Sequence, residues 1–235
     1  MAGLLVSWEL VARAYPELIP TPLETLRAMG AIGAQRILHA VLVTLENSIT
    51  GYLVGLALAL VSVSAAYTNR HAAAFFDALN TLIQSVSILV WAIVFIMIFG
   101  VVSRKAPILV VAAATYPILL SGLFGALRAL DKRFALLARL LGASRYEELI
   151  HFILPGMIPY LVAASRSAIG IALRISVVAE AFGASGGVGY WLVYSYDVGF
   201  REGVFAWALI LVLLMIIVDY ALLRPVERWS MKWRV

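Results

Sequence analysis

The sequence predicts an all-α, polytopic membrane protein with about five transmembrane helices, and three observations lead there. Of 235 residues, 63% are hydrophobic and 13% charged, with a mean hydropathy of +0.98, whereas a soluble domain runs nearer a quarter charged. Several almost charge-free runs reach about 20 residues, the length that a helix rising 1.5 Å per residue needs to cross about 30 Å of hydrocarbon. Those runs stay apolar throughout, where barrel strands would alternate apolar and polar positions. A water-soluble globule, a disordered chain and a transmembrane barrel are excluded.

The first segment, 1–37, reads as interfacial. Residues 1–8 carry no basic stretch ahead of their short apolar run, so a cleavable secretory signal is not expected. The run WELVARAYPEL is interrupted by Glu9, Arg13, Pro16 and Glu17 and is a poor candidate for crossing lipid. It predicts a helix lying in the interface, then a turn at Pro20 and Pro22. A sixth span hidden at this end is the alternative, and it would move the N-terminus to the opposite side.

A transmembrane domain over 38–224 follows, with spans expected at 41–66, 82–102, 106–126, 158–181 and 204–223. Gly51 and Gly55 in the first span have the spacing that lets helix backbones approach, either within the chain or between two copies. Ala164, Ala168, Ala172 and Ser176 form a similar strip in the fourth span. Five spans place the chain ends on opposite sides. The segments 67–81, 127–157 and 224–235 hold ten Lys or Arg, against six in 1–40, 103–105 and 182–203. That bias predicts a cytoplasmic 127–157 segment, a cytoplasmic tail over 225–235 and an external N-terminus. Trp229 and Trp233 among Arg228, Lys232 and Arg234 read as an interfacial anchor.

The segment 127–157 is long for a connection and basic. Residues 131–141 predict a helix ended by Gly142, which accepts a left-handed backbone. Ser144 and Glu147 have capping-box spacing, so a second short helix is expected over 145–153, stopping before Pro155. Two short helices hinged at glycine would form a knob suited to docking on a soluble partner.

Ala138, Gly142, Leu154 and Pro155 match the offsets of a loop pattern written EAA, three residues, Gly, nine residues, Ile, one residue, Leu-Pro. The chain thereby resembles the permease subunits of binding-protein-dependent type I ABC importers. Leu136, Leu137 and Phe152 depart from the pattern, so docking would rely on shape and on Arg139, Arg145 or other charges in place of the usual carboxylate. Trp8-Glu9, Pro20 and Pro22, Thr44, Ser48 and Gly51, and Glu180 with the run Gly186 to Tyr190 follow the order of the nitrate, sulfonate and taurine branch. The resemblance implies a coupling loop over 131–155, including Ala138, Arg139, Gly142, Ala143, Ser144, Arg145, Glu147, Leu154 and Pro155. It also implies partner ATPase subunits, an extracytoplasmic solute-binding protein, a second permease copy and a prokaryotic cell membrane, with a small solute such as a sulfonate, nitrate or vitamin precursor.

Several chemistries lack residues here. With no cysteine there is no disulfide, thiolate site or thiol nucleophile, and His39, His71 and His151 do not share metal-ligand spacing. No Gly-x-x-x-x-Gly-Lys stretch exists to hold ATP phosphates, so no cofactor is expected and ATP hydrolysis would belong to a partner. The fifteen arginines and three lysines behind the net charge of +5 are scattered, which argues against nucleic acid. Arg166 and Arg174 inside a span must face protein or water. They line a route for an anionic solute, or else snorkel and pair with a neighbouring helix. Glu180 reads as a structural hydrogen-bonding group or a gate residue at that route, and Gly186–Gly189 as a tight turn needing positive φ. A membrane-embedded enzyme or a self-sufficient secondary carrier are the rival functions. Neither has a clustered acid–base set or an internal repeat to support it.

Overall fold

The computed structural model describes residues 2–130, 142, 144–183 and 186–223, and every regular element among them is helical. The N-terminal segment consists of helix α1 (Ala2–Ala14) and helix α2 (Pro22–Ile32). Thr21 caps α2 through a reciprocal box with Glu24, and Pro22 sits in the first turn, where no backbone donor is required. The Trp8 indole donates to the Pro20 carbonyl at 3.0 Å, folding α1 back on the turn.

Four helices are long and apolar enough to cross a membrane. They are α3 (Ala34–Thr68), α6 (Lys105–Ala129), the continuous stretch Tyr146–Gly183, and Arg201–Ala221, which contains α10 (Arg201–Val218). Within Tyr146–Gly183, helix α7 (Arg145–Glu148) leads through a π-helical turn (Leu149–Ile153) into α8 (Leu154–Gly183). The short helix α9 (Val188–Asp197) lies between α8 and α10.

The expected span 82–102 is corrected. In its place stand α4 (Arg70–Ser85) and α5 (Ile88–Phe99), bent by 94°. Helix α5 alone, twelve residues long, rises about 18 Å and is too short to cross. Val86 takes an extended conformation at the break, while the Ser85 hydroxyl bonds back to the Thr81 carbonyl at 2.8 Å. The Trp91 indole reaches the Ile83 carbonyl, one of those a helix end leaves open, at 3.5 Å.

The packing nevertheless makes this pair a crossing. A Cβ on Gly51 would stand 2.5 Å from the Val111 Cβ, and one on Gly55 2.5 Å from the Thr115 Oγ1. Ser62 and Tyr116 share a hydrogen bond of 3.1 Å, so α3 and α6 run parallel. Glu46, near the start of α3, meets Arg104, just before α6, at 3.3 Å. The chain therefore returns from the end of α3 to the level of its start, and only α4 and α5 lie between. Asn80 of α4 bonds Ser121 toward the far end of α6, and Ala92 of α5 packs on Val110 and Ala179 toward the near end. The two half-length helices thus share one passage.

Helix α8 runs antiparallel to both: Gly122 faces Ala164, Gly156 faces Leu130, and Tyr52 bonds Ser165 at 2.8 Å. The core lies at this three-helix junction, with Ala59, Val63, Leu119, Leu120, Leu123, Met157 and Ala168 buried. Gly51 and Gly55 serve packing inside the chain, the first of their two readings. A second correction concerns Pro155, where the helix continues instead of stopping. Proline lacks an N–H and its ring crowds the carbonyl four residues back. The wider turn before it relieves that crowding, with the Leu154 N–H bonding the Leu149 carbonyl five residues back.

Candidate functional site

Two regions of Tyr146–Gly183 carry the polar groups of interest, one near each end. At the end near Gly183, Glu180 is 1% exposed. Thr44 Oγ1 donates to its Oε2 at 2.8 Å, Asn47 Nδ2 to Oε1 at 2.9 Å, and Ser176 Oγ to Oε1 at 3.0 Å. The Gly189 amide completes the set at 3.2 Å to Oε2. A carboxylate has about four acceptor positions, and four donors fill them. Thr44 is itself held, accepting from the Val188 amide at 2.9 Å. The cluster ties α3, α8 and α9 together and leaves Glu180 no free oxygen for a solute.

The glycine run makes this closure possible. Gly187 has φ of 99°, a region that side chains rarely adopt, and a Cβ there would strike the Glu180 carboxylate. A Cβ on Gly189 would strike the Val177 carbonyl. Of the turn expected at 186–189, Gly187 takes the positive φ, whereas Val188 and Gly189 already open helix α9. Helix α9 after it was not foreseen, because ten residues broken by Tyr and Ser resemble a loop in hydropathy. Trp191 of α9 stacks on Trp207 of α10 with ring centres 6.2 Å apart, and Arg36 lies 5.1 Å over its ring. Asn47 was also missed. The signal was the buried polar series Thr44, Asn47, Ser48 at helical spacing ahead of Gly51.

At the other end, Gly142 has φ of 75° and is exposed. The capping box is formed: the Ser144 amide donates to Glu147 Oε2 at 2.7 Å and the Glu147 amide to Ser144 Oγ at 3.3 Å. Leu154 and Pro155 lie in the first turn of α8. The expected helix 131–141 with Ala138 and Arg139, residue Ala143, the side chain of Arg145 and the tail 225–235 fall outside the described residues. Glu148, not singled out from sequence, is 2% exposed. Its Oε1 has no hydrogen-bond partner among the described residues.

Arg166 is half-buried, whereas Arg174 is exposed and has no hydrogen-bond or ion-pair partner among the described residues. No group of three or more His, Cys, Asp or Glu that could hold a metal occurs among those residues.

Comparison with known proteins gives a consistent picture. The family described as binding-protein-dependent transport system inner membrane component matches residues 51–228. The nitrate import permease protein NrtB of Synechococcus elongatus is 24% identical over 159 residues, 68% of this chain and 57% of that protein. The formylaminopyrimidine transport permease protein ThiX of Halalkalibacterium halodurans is 23% identical over 236 residues, 98% of this chain and 92% of that one. Among solved structures, a chain of an amino acid ABC transporter superposes with a TM-score of 0.68 at 16% identity, covering 83% of this chain and 94% of its own.

Proposed function

The chain belongs to the family of binding-protein-dependent transport system inner membrane components, and from that premise we propose how it works as the permease subunit of an ABC importer. The subunit is non-catalytic. ATP hydrolysis occurs on partner ATPase subunits that grip the loop around Gly142 on the cytoplasmic side. A binding protein delivers a small solute on the other side, and a second copy of the chain completes the route. The cargo is of the size of nitrate, a sulfonate or a vitamin precursor, and the two relatives are named for nitrate and formylaminopyrimidine.

One observation carries the coupling half of this reading. The capping box at Ser144 starts a helix that runs unbroken for 38 residues, from Tyr146 to Gly183, about 57 Å at 1.5 Å per residue. Its far end is clamped by Glu180 to α3 and α9. A pull at the Gly142 end is therefore passed along one continuous helix, and the mouth of the subunit moves with it.

Gly142→Asp tests the assignment, because it places a side chain and a charge at a left-handed position on the docking surface. The expected result is normal membrane insertion with weakened ATPase association, or with ATP hydrolysis uncoupled from uptake in reconstituted vesicles. Wild-type assembly together with wild-type uptake per ATP would overturn it.

A further inference from the structure

At the end of the bundle where α3 and α6 both finish, three helices leave a cleft of about 330 Å3 between them. Ala66 of α3, Ala73 of α4, and Phe124 and Leu127 of α6 form its walls. Helix α6 has 25 residues and rises about 37 Å, more than the roughly 30 Å of hydrocarbon. Its last turn, with Arg128, therefore stands at the level of the lipid headgroups.

Asp77 and Arg128 complete the lining of this cleft. They carry opposite charges, yet they do not pair, and neither side chain has a hydrogen-bond or ion-pair partner among the described residues. Opposite charges on neighbouring helices ordinarily close on each other, as Glu46 and Arg104 do near the other end of α6. Here open space separates them. A group that satisfies both must present a cation to Asp77 and an anion to Arg128 at once, so it is zwitterionic. A simple anion would meet the Asp77 carboxylate, and a simple cation would meet the Arg128 guanidinium. Next to Ala73 on α4, Phe75 and Leu82 are exposed, so a ligand seated at the headgroup level has apolar surface beside it for hydrocarbon tails.

We propose that the cleft binds the headgroup of an ethanolamine phospholipid, with its phosphate on the Arg128 guanidinium and its ammonium on the Asp77 carboxylate. The guanidinium fork matches two phosphate oxygens. The ammonium, like that of lysine, offers three N–H donors to the carboxylate. A choline headgroup has no N–H to give, and a glycerol headgroup brings no cation. The contact that such a lipid braces is otherwise lean. Asn80 of α4 donates to Ser121 of α6 at 2.9 Å, while its own Oδ1 is buried with no hydrogen-bond partner among the described residues.

The test counts lipid on the whole chain. The protein, purified in mild detergent, is mixed with equal amounts of phosphatidylethanolamine, phosphatidylcholine and phosphatidylglycerol of the same acyl chains, and the lipid retained is read by native mass spectrometry. The ethanolamine lipid is expected to be retained about tenfold over either of the others, the scale of one charge-assisted hydrogen bond. Asp77→Asn should erase that preference, Arg128→Gln should lower retention of all three lipids, and Arg128→Lys should keep the preference. Lys105→Gln, at the opposite end of α6, should leave retention as it is, and an equal loss there would overturn the assignment to this cleft. Millimolar phosphoethanolamine should leave the lipid in place, whereas displacement by it would mean that the cleft takes a free zwitterion and would overturn the lipid as occupant. Equal retention of the three lipids by the unaltered chain, or a preference that survives Asp77→Asn, would overturn the proposal outright.

Discussion

Glu180 holds together three elements through one side chain, so the cost of removing it can be reasoned donor by donor. Hydrogen bonds to an ionised group contribute about 1.5–3 kcal/mol each, while neutral bonds between membrane helices average nearer 0.6 kcal/mol. Glu180→Ala strands Asn47 and the Gly189 amide in a buried place and should destabilise the subunit by roughly 3 kcal/mol. Asn47→Leu should cost less, because Oε1 keeps its bond from Ser176. Thermal unfolding of the two variants in detergent checks the order, and an Asn47→Leu loss as large as that of Glu180→Ala would contradict it. The residue itself was legible in the sequence, as a charge in an apolar run demands an explanation. Its partners were not, since Thr44 and Asn47 lie more than 130 positions away and hydropathy does not report which helix faces which.

At the level of elements, what the sequence conveyed was solubility in lipid rather than straightness. The apolar run beginning near Ile83 reads as one span, yet it breaks between Ser85 and Ile88, where Val86 is extended and the Ser85 hydroxyl turns back onto the Thr81 carbonyl. The second loop helix and the fourth span looked separate because proline ordinarily stops a helix. A π-turn lets Leu149–Ile153 run on into α8. The glycine spacing was legible, but its partner became definite only with α6 in place. Since a Cβ on Gly55 would meet Thr115 Oγ1 at 2.5 Å and the Tyr116 amide at 3.2 Å, Gly55→Val should force α3 and α6 apart, costing about 3 kcal/mol. Gly125 in α6 has nothing within 4 Å of a Cβ. Gly125→Ala should be neutral or slightly stabilising in the same unfolding measurement, since alanine is the better helix former.

For the whole molecule the issue is how many times the chain passes through the bilayer, and hence which loops share a side. Parallel packing of α3 and α6 requires that Asn69, after α3, and Val102, before α6, lie on opposite sides. Had the pair α4 and α5 dipped into the membrane and returned, the two would lie on the same side, and α6 would run antiparallel to α3. The charge bias predicts a direction, with the more basic loops, including the one around Gly142, expected on the cytoplasmic side. Asn69→Cys, Ser144→Cys and Val102→Cys each give a single thiol in a chain that has none, and all three positions are exposed. In intact cells an impermeant maleimide should label Val102→Cys alone, and the other two only after the membrane is opened. Labelling of Asn69→Cys together with Val102→Cys would mean that the 94° elbow is a re-entrant loop. Helix α3 would then run opposite to α6, and Thr44 and Asn47 near its start could no longer lie beside Glu180 at the Gly183 end of the continuous helix.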